Sequence, residues 1–489
     1  MAAEGGTRNS EIALRNNRSL RITDPLIAAA SPGPRSRESD HSRGMHALRL
    51  LTVLLAWAAL GQQAANAAET FVGVWDAKVE FASGVAAASM RLSSDSGKIS
   101  GSSGPLDENQ FFPLAVDGTV SGSEADLTFR YDGDVVGQAR VQLRANGFGG
   151  AGVLYGAPMV IDAKSPLAPA HTGRVIDFKP TSYALQYSSR TPPVLRLRSG
   201  DRVRTTTVDN EGQDSEMAWK AMPGNPLTGP FYVEGAMPGD TLVVHLEQVA
   251  LNRNSAKMYS GALDRKAVQP GHTQTPVAGW SRNWILDRRR GMARLAEPGE
   301  ALSGFELPTR PMIGSIGVAP PLNMALYAGD VWIHGGNLDY SRVTTGMTLH
   351  FPVYRAGAYL FLGDGHALQG DGEISGQGLE TSLDVTFRVE LTKQPGLGQL
   401  WSEDADSVMV HGIDNTLDTS LQAATSGMAR WLKQTYGLND SEAAAVMSAA
   451  IRYDIAEVVD PRPHVVARLS KSVLAQIKKA SSATSALPK

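Results

Sequence analysis

The chain has 489 residues, a formal net charge of −3, 50 glycines and no cysteine. The length accommodates several domains with a sizeable core, and the near-neutral balance gives no global attraction to nucleic acid or to an anionic membrane. Without cysteine there are no disulfides, thiolate zinc sites or nitrilase-type cysteine nucleophiles, and abundant glycine with few aromatics favours a turn-rich β protein over a helical bundle.

Residues 1–44 are rich in Arg, Ser, Pro and Gly and carry no apolar period. They are expected to be disordered, or an upstream extension of the reading frame. From Met45 the text changes: Arg49 gives a basic start, Leu50 to Leu60 is an apolar run of h-region length, and Ala65-Asn66-Ala67 gives a small-x-small cleavage pattern. The run is too short for a comfortable membrane span. Residues 45–67 are therefore read as a signal peptide, with a periplasmic or secreted mature protein and no stable membrane insertion.

Residues 69–165 alternate short apolar runs with Gly, Ser and Asp turns, as in Phe71 to Trp75, Ala125 to Phe129 and Ala139 to Leu143, with Asp132-Gly133-Asp134 and Asn146-Gly147 between runs. That spacing predicts antiparallel hairpins closing into a small β-barrel or sandwich. Gly101-Ser102-Ser103-Gly104 superficially resembles the glycine-serine box of serine-dependent amidases. The lysine-serine context is absent, and a polar turn explains it better. Pro166 to Thr172 reads as a linker to a second domain over 171–489.

The central region repeats one grammar. Val194 to Arg198 turns at Ser199-Gly200-Asp201 into Val203 to Val208, ending at Asp209. Phe231 to Glu234 turns at Pro238-Gly239-Asp240 into Leu242 to Leu246, and Leu349 to Tyr354 turns at Ala356-Gly357 into Tyr359 to Leu362. Each reads as a hairpin. Gly378 to Leu391 reads as one half-buried strand. Sandwich or barrel layers are expected, with polar residues delivered at strand ends. Near the C-terminus, Leu417, Leu421, Ala424, Met428 and Leu432 follow a helical period that Gly437 stops, and Asn439 with Glu442 makes a capping box for a second helix. This end of the chain, with Asp454, Asp460 and His464, reads as structural.

The densest chemistry lies in Gly363-Asp364-Gly365-His366-Ala367-Leu368-Gln369-Gly370-Asp371-Gly372-Glu373. Carboxylates and imidazole hold metals and move protons. Asp-Gly pairs alone are ordinary turn formers, but turns need neither a histidine nor a glutamate. The segment resembles the GDGHxxQGDGE signature of the acetamidase/formamidase family. Three more ordered motifs share that resemblance: Asn225 to Ala236 (NPxTGPxxVEGA), Pro311 to Pro320 (PMxGxIGVAP) and Gly335-Gly336-Asn337-Leu338-Asp339 (GGNxD). The similarity spans about 171–474, leaving the export segment and the first β module outside it. It implies a mainly β domain with C-terminal helices, and hydrolysis of a short amide such as formamide or acetamide to carboxylate and ammonia.

An unactivated amide needs a nucleophile and a stabilised oxyanion. With no cysteine and no GxSxG elbow in the chain, a bound divalent metal supplies both. The expected ligands are His366, Asp209 and Asp371, with Glu234 and Asp339 next and Asp364 and His334 as further candidates. Zinc is the expected ion, and calcium is the alternative because oxygen donors predominate. Glu373 is the expected general base and Asn337 the oxyanion donor. A homodimer is the expected assembly. Two other readings stay open: a non-catalytic extracytoplasmic protein that binds a small ligand and carries a structural metal, and a hydrolase for bulkier amides.

Overall fold

The computed structural model describes residues 70–478, apart from 96, 107–112, 167–171, 273, 275–277, 279, 281 and 394–395. The expected signal peptide, and the stretch before it, lie outside the described residues.

The first module is a closed barrel of eight antiparallel strands, β1 (Gly73–Phe81), β2 (Gly84–Asp95), β3 (Lys98–Ser103), β4 (Leu114–Ser121), β5 (Glu124–Tyr131), β6 (Asp134–Arg144), β7 (Gly147–Leu154) and β8 (Ala157–Lys164). Each strand pairs with the next, and β8 closes on β1 with Val79 opposite Ile161. The period-two pattern dictates this, since one face of each strand must be covered. Val79, Met90, Val116, Leu127, Phe129, Val141 and Ile161 fill the interior, and Trp75 and Phe71 pack on Phe148 at ring distances of 5.4 and 5.7 Å. The interior is a packed core. Lys393 joins the barrel to the rest, its Nζ lying 2.8 Å from both Asp76 of β1 and the buried Asp240.

The second domain is two packed sheets. Among the described residues an eleven-stranded sheet includes Leu195–Leu197, Leu227–Val233, Met312–Gly317, Gly335–Asn337, Leu360–His366 and Glu380–Thr381. A nine-stranded sheet includes Arg202–Thr206, Thr241–Leu251, Thr348–Pro352, Leu383–Thr392, Ser407–Ile413 and His464–Ser470. One apolar cluster, with Phe231, Ile316, Leu360 and Leu362 from the first sheet and Val203, Leu242, Leu349 and Phe387 from the second, joins them. The rings of Phe231 and Phe387 meet across the layers at 5.2 Å. The chain is thus mainly β, as its turn-rich composition suggests.

The three expected hairpins are corrected by this topology. In each, the two strands belong to different sheets, and the turn carries the chain from one layer to the other. Leu195–Leu197 instead runs parallel to Leu227–Val233, while Arg202–Thr206 pairs with Leu383–Thr392. An alternating run reports that one face is buried, not which neighbour it pairs with. The expected strand over Gly378 to Leu391 likewise divides. Glu380–Thr381 joins the first sheet and Leu383–Thr392 the second, with buried Ser382 between them donating to Asn252 Oδ1 at 2.6 Å.

The helix Leu417–Tyr436 is capped by Thr416 and ends on left-handed Gly437. The second helix, Asp440–Ala450, starts on the Asn439–Glu442 capping box. Ala424, Met428 and Leu432 pack with Val408, Val410, Ala467 and Leu469 on the outer face of the second sheet. That cover explains why Ser407–Ile413 is buried on both faces. Leu417 and Leu421, expected on the apolar stripe, are exposed; Trp431 takes their place in the core. No helix among the described residues is long and apolar enough to cross a membrane.

Candidate functional site

The strand Leu360–His366 is buried along its whole length at the centre of the first sheet. Its register places His366 between Met312 on one side and Glu380 on the other. His366 Nε2 lies 3.1 Å from Glu380 Oε2 and 3.6 Å from Asp364 Oδ1, and Nδ1 lies 3.7 Å from Asp339 Oδ1. One ligand atom each from Asp364, His366 and Glu380 falls within 4.8 Å of the others, and so does a second set from Asp339, His366 and Glu373. All five residues are buried.

The tautomer of His366 follows from its neighbours. Gln369 Nε2 donates to the Asp339 carbonyl at 2.6 Å, which leaves Gln369 Oε1 as acceptor at 2.7 Å from His366 Nδ1. Nδ1 is therefore the protonated nitrogen of the neutral ring, and the Nε2 lone pair faces Asp364 and Glu380.

Asn337 links the acids. Its Nδ2 donates to Asp339 Oδ2 and, at 2.7 Å, to Asp460 Oδ2. Its Oδ1 accepts from Ser315 Oγ and from Asn225 Nδ2 at 3.2 Å, and Asn225 also reaches Asp364 Oδ2 at 3.3 Å. Asn225, Asp339, Asp364 and Glu373 all take left-handed backbone, with φ of 54, 38, 53 and 44°. Such conformations cost about 1–3 kcal/mol each, and they cluster where function over-determines the backbone. A hydrogen-bonded chain braces the Asp339 turn from behind. Ser402 Oγ donates to His411 Nε2 (2.7 Å), His411 Nδ1 to His464 Nε2 (2.9 Å), and His464 Nδ1 to the Leu338 carbonyl (2.8 Å). A carbonyl can only accept, so the direction of the whole chain is set from that end.

The electrostatics show an excess of buried negative charge. Burial pushes Asp339 well above the usual carboxylate range, with Glu373 and Asp364 adding to the rise. Burial likewise raises Glu373 well above its usual value against the pull of His366, and raises Glu380 to about 7. Asp460 rises to about 7 by burial, opposed by the Asn337 amide. Burial disfavours imidazolium at His366, but Glu380 and Asp364 outweigh it and hold the ring well above its usual value.

A divalent cation fits this cluster. Asp339 Oδ1, Asp364 Oδ1 and Glu380 Oε2 are buried and crowd the one His366 ring without a well-aligned hydrogen bond. Oxygens left this way cost free energy unless something positive faces them. Gly314 lets the two carboxylates come this close, since a Cβ there would lie 2.5 Å from Asp339 Oδ1 and 2.6 Å from Asp364 Oδ2.

The expected residues sort unevenly. His366, Asp364, Asp339, Glu373 and Asn337 come together. Asp209 does not join the converging oxygens: it is fully buried, but Arg253 Nη2 holds its Oδ2 at 2.7 Å and the amides of Glu211 and Gln213 hold Oδ1. Arg253 also reaches the Glu380 carbonyl at 3.3 Å, so Asp209 supports the cluster from behind. Asp371 is exposed at the loop tip, 3.4 Å from Ser341 Oγ. Glu234 pairs with Arg198 at 2.9 Å, away from the cluster. His334 is buried edge-on to Tyr187 at 4.8 Å, and burial pulls it down to about 3. Both hydrogens of the Asn337 amide are engaged by acids, so here it positions carboxylates and has no free donor for an oxyanion. The sequence reading missed Glu380, Asp460, Asn225, Ser315 and Gln369. Asn225 and Gln369 stand inside quoted motifs and Ser315 inside another, but Glu380 and Asp460 carry no local signal.

The model of the Acetamidase/Formamidase family matches residues 186–328 and 332–473, more than half of the chain. A formamidase of Methylophilus methylotrophus is 23% identical over 274 residues, covering 46% of this chain and 64% of its own. The crystal structure of a recombinant predicted acetamidase/formamidase from Thermoanaerobacter tengcongensis superposes with a TM-score of 0.53 at 28% identity, covering 62% of this chain and 98% of that one. An acetamidase from Bacillus halodurans gives 0.53 at 27%, covering 62% and 99%. The chain spans about half to two thirds of the length of the curated relatives it matches. Four ordered motifs, a converging acid–imidazole cluster and a family model matched across it lead to one assignment: the chain belongs to the Acetamidase/Formamidase family.

Proposed function

We propose that this chain is an exported amidase that hydrolyses the C–N bond of a small linear amide, of the formamide or acetamide type, to carboxylate and ammonia. The observation that carries the reading is the set of three buried oxygens, on Asp339, Asp364 and Glu380, turned onto one imidazole.

Asp364, His366 Nε2 and Glu380 would hold a divalent cation, with Asp339 beside them. One nitrogen with carboxylate oxygens suits zinc; calcium would call for more oxygen ligands. The cation supplies Lewis-acid polarisation of the carbonyl and lowers the pKa of water. Burial raises Glu373 well above its usual value, which makes its carboxylate a stronger base. It takes the proton of the attacking water as the C–O bond forms and returns it to nitrogen as the C–N bond breaks. Asn337 and Asn225 hold Asp339, Asp364 and Asp460 in place. Gln369 fixes the tautomer that leaves Nε2 free.

The test pairs metal analysis with ammonia release from formamide, acetamide and bulkier amides. Turnover is expected to vanish on chelation, to return with added zinc, and to be lost in Glu373→Gln while the metal is kept. Bound metal with no turnover across the panel would instead favour a small-ligand-binding protein. Export rests on the apolar run before Ala67; fractionated cells should yield a periplasmic or secreted protein starting near Ala68. The homodimer is checked by light scattering.

A further inference from the structure

Beside the helix Leu417–Tyr436 lies a cavity, half open to solvent, of about 570 Å³, a volume suited to a small organic ligand. It shares no lining residue with the acid cluster around His366. Trp332, Leu400 and Ile413 give it apolar walls, and Arg430 enters from the helix.

Arg430 is held there by a neutral partner. Its Nη2 donates to Gln399 Oε1 at 2.6 Å. Gln399 is itself fixed, donating from Nε2 to the carbonyls of His411 (2.7 Å) and Ala423 (3.2 Å). Gly427 makes room for it, since a Cβ there would lie 2.5 Å from Gln399 Oε1. Arg430 stays exposed to solvent, and the protein around it desolvates the guanidinium enough to pull it below the usual arginine value. The other charged groups on the wall have partners of their own. Arg462 pairs with Asp330, and Asp414, whose carboxylate keeps its charge, accepts at Oδ1 from the Asn415 backbone amide at 2.7 Å.

An exposed guanidinium at the mouth of the cavity, pre-oriented by an amide and beside apolar walls, is complementary to an amphipathic anion. A planar carboxylate matches its fork with two parallel hydrogen bonds. We propose that this cavity is a second binding site, for a small organic carboxylate, with the carboxylate on Arg430 and its alkyl or aryl group against Trp332, Leu400 and Ile413.

Calorimetric titration of the full chain with butyrate, and with n-butylamine of the same shape and opposite charge, tests this. Butyrate should bind saturably at one equivalent, before and after chelator treatment, and the amine should not. Arg430→Gln should weaken butyrate binding by about ten-fold or more, as expected for losing a charge-assisted hydrogen bond. Gln399→Glu, which places the protein's own carboxylate beside Arg430, should do the same and serves if the first variant fails to fold. Absence of saturable butyrate binding, loss of binding on chelation, preference for the amine, or unchanged affinity in the folded variants overturns the proposal. Amide turnover plays no part in the readout, so failure of the amidase reading is a separate result.

Discussion

Glu380→Gln should have opposite effects with and without metal. The substitution keeps the shape and the Oε1 that accepts from the Gly378 amide at 3.0 Å. It removes the charge from an Oε2 that lies 3.1 Å from His366 without a well-aligned hydrogen bond. In the metal-free protein, burial raises Glu380 from 4.5 to about 7. The sign follows from linkage: a carboxyl whose folded pKa is raised binds more protons folded than unfolded, so it weakens folding as pH climbs from 4.5 through 7. At neutral pH and above that burden is roughly 3 kcal/mol. Chelator-treated Glu380→Gln should therefore melt a few degrees above chelator-treated wild type at pH 8, with the difference closing near pH 4.5. With metal the order reverses. Even supporting groups around a metal contribute about 10- to 100-fold in affinity, and a direct ligand should lose at least the upper figure. Differential scanning calorimetry of both forms, with metal affinity from competition against a chromogenic chelator, reads both effects. Equal metal affinity in variant and wild type, or a lower melting temperature for the chelated variant, would refute the placement of Glu380 in the cation site.

Asp209→Asn should leave metal stoichiometry intact, because its partner is Arg253; breaking this buried pair should destabilise the fold by about 3–5 kcal/mol in urea unfolding. Gly314→Ala should abolish metal retention by driving a methyl against Asp339 and Asp364, while far-ultraviolet circular dichroism stays that of the wild type. The buried histidines give an acid limb. Burial lowers His464 to about 4 and His411 well below its usual value, so between about pH 4 and 6.5 the unfolded chain binds more protons than the folded one. Their contribution is complete above pH 6.5 and is lost as pH falls through that window, and His464→Gln should flatten the pH dependence of the unfolding free energy there.

Much of the site was legible in one dimension. The GDGHxxQGDGE segment supplies Asp364, His366, Gln369 and Glu373, and GGNxD supplies Asn337 and Asp339. Within the first of these segments, however, two Asp-Gly pairs look alike. Asp364 sits inside a buried strand with φ of 53°, and Asp371 is exposed at the following turn. Asp209, at the end of an apolar run, looked like a ligand, but a cation from a separate segment, Arg253, takes it. Glu380 read as the start of an ordinary strand until pairing set it opposite His366. Asp460 lay in text that read as structural, yet it bonds Asn337 from 123 residues away.

Alternation, caps and turn residues act over a few neighbours, so the β character, the barrel's hairpins, the helix ends at Gly437 and Asn439 and the family motifs could all be read directly along the chain. Which layer a strand joins, and which carboxylates converge, depends on strand register and on corners between sheets. Those are set by burying both apolar faces at once, a condition no short window contains. The close approach of Asp339 and Asp364 over Gly314, and the convergence of their oxygens with those of Glu380 on one imidazole, exist only after that burial.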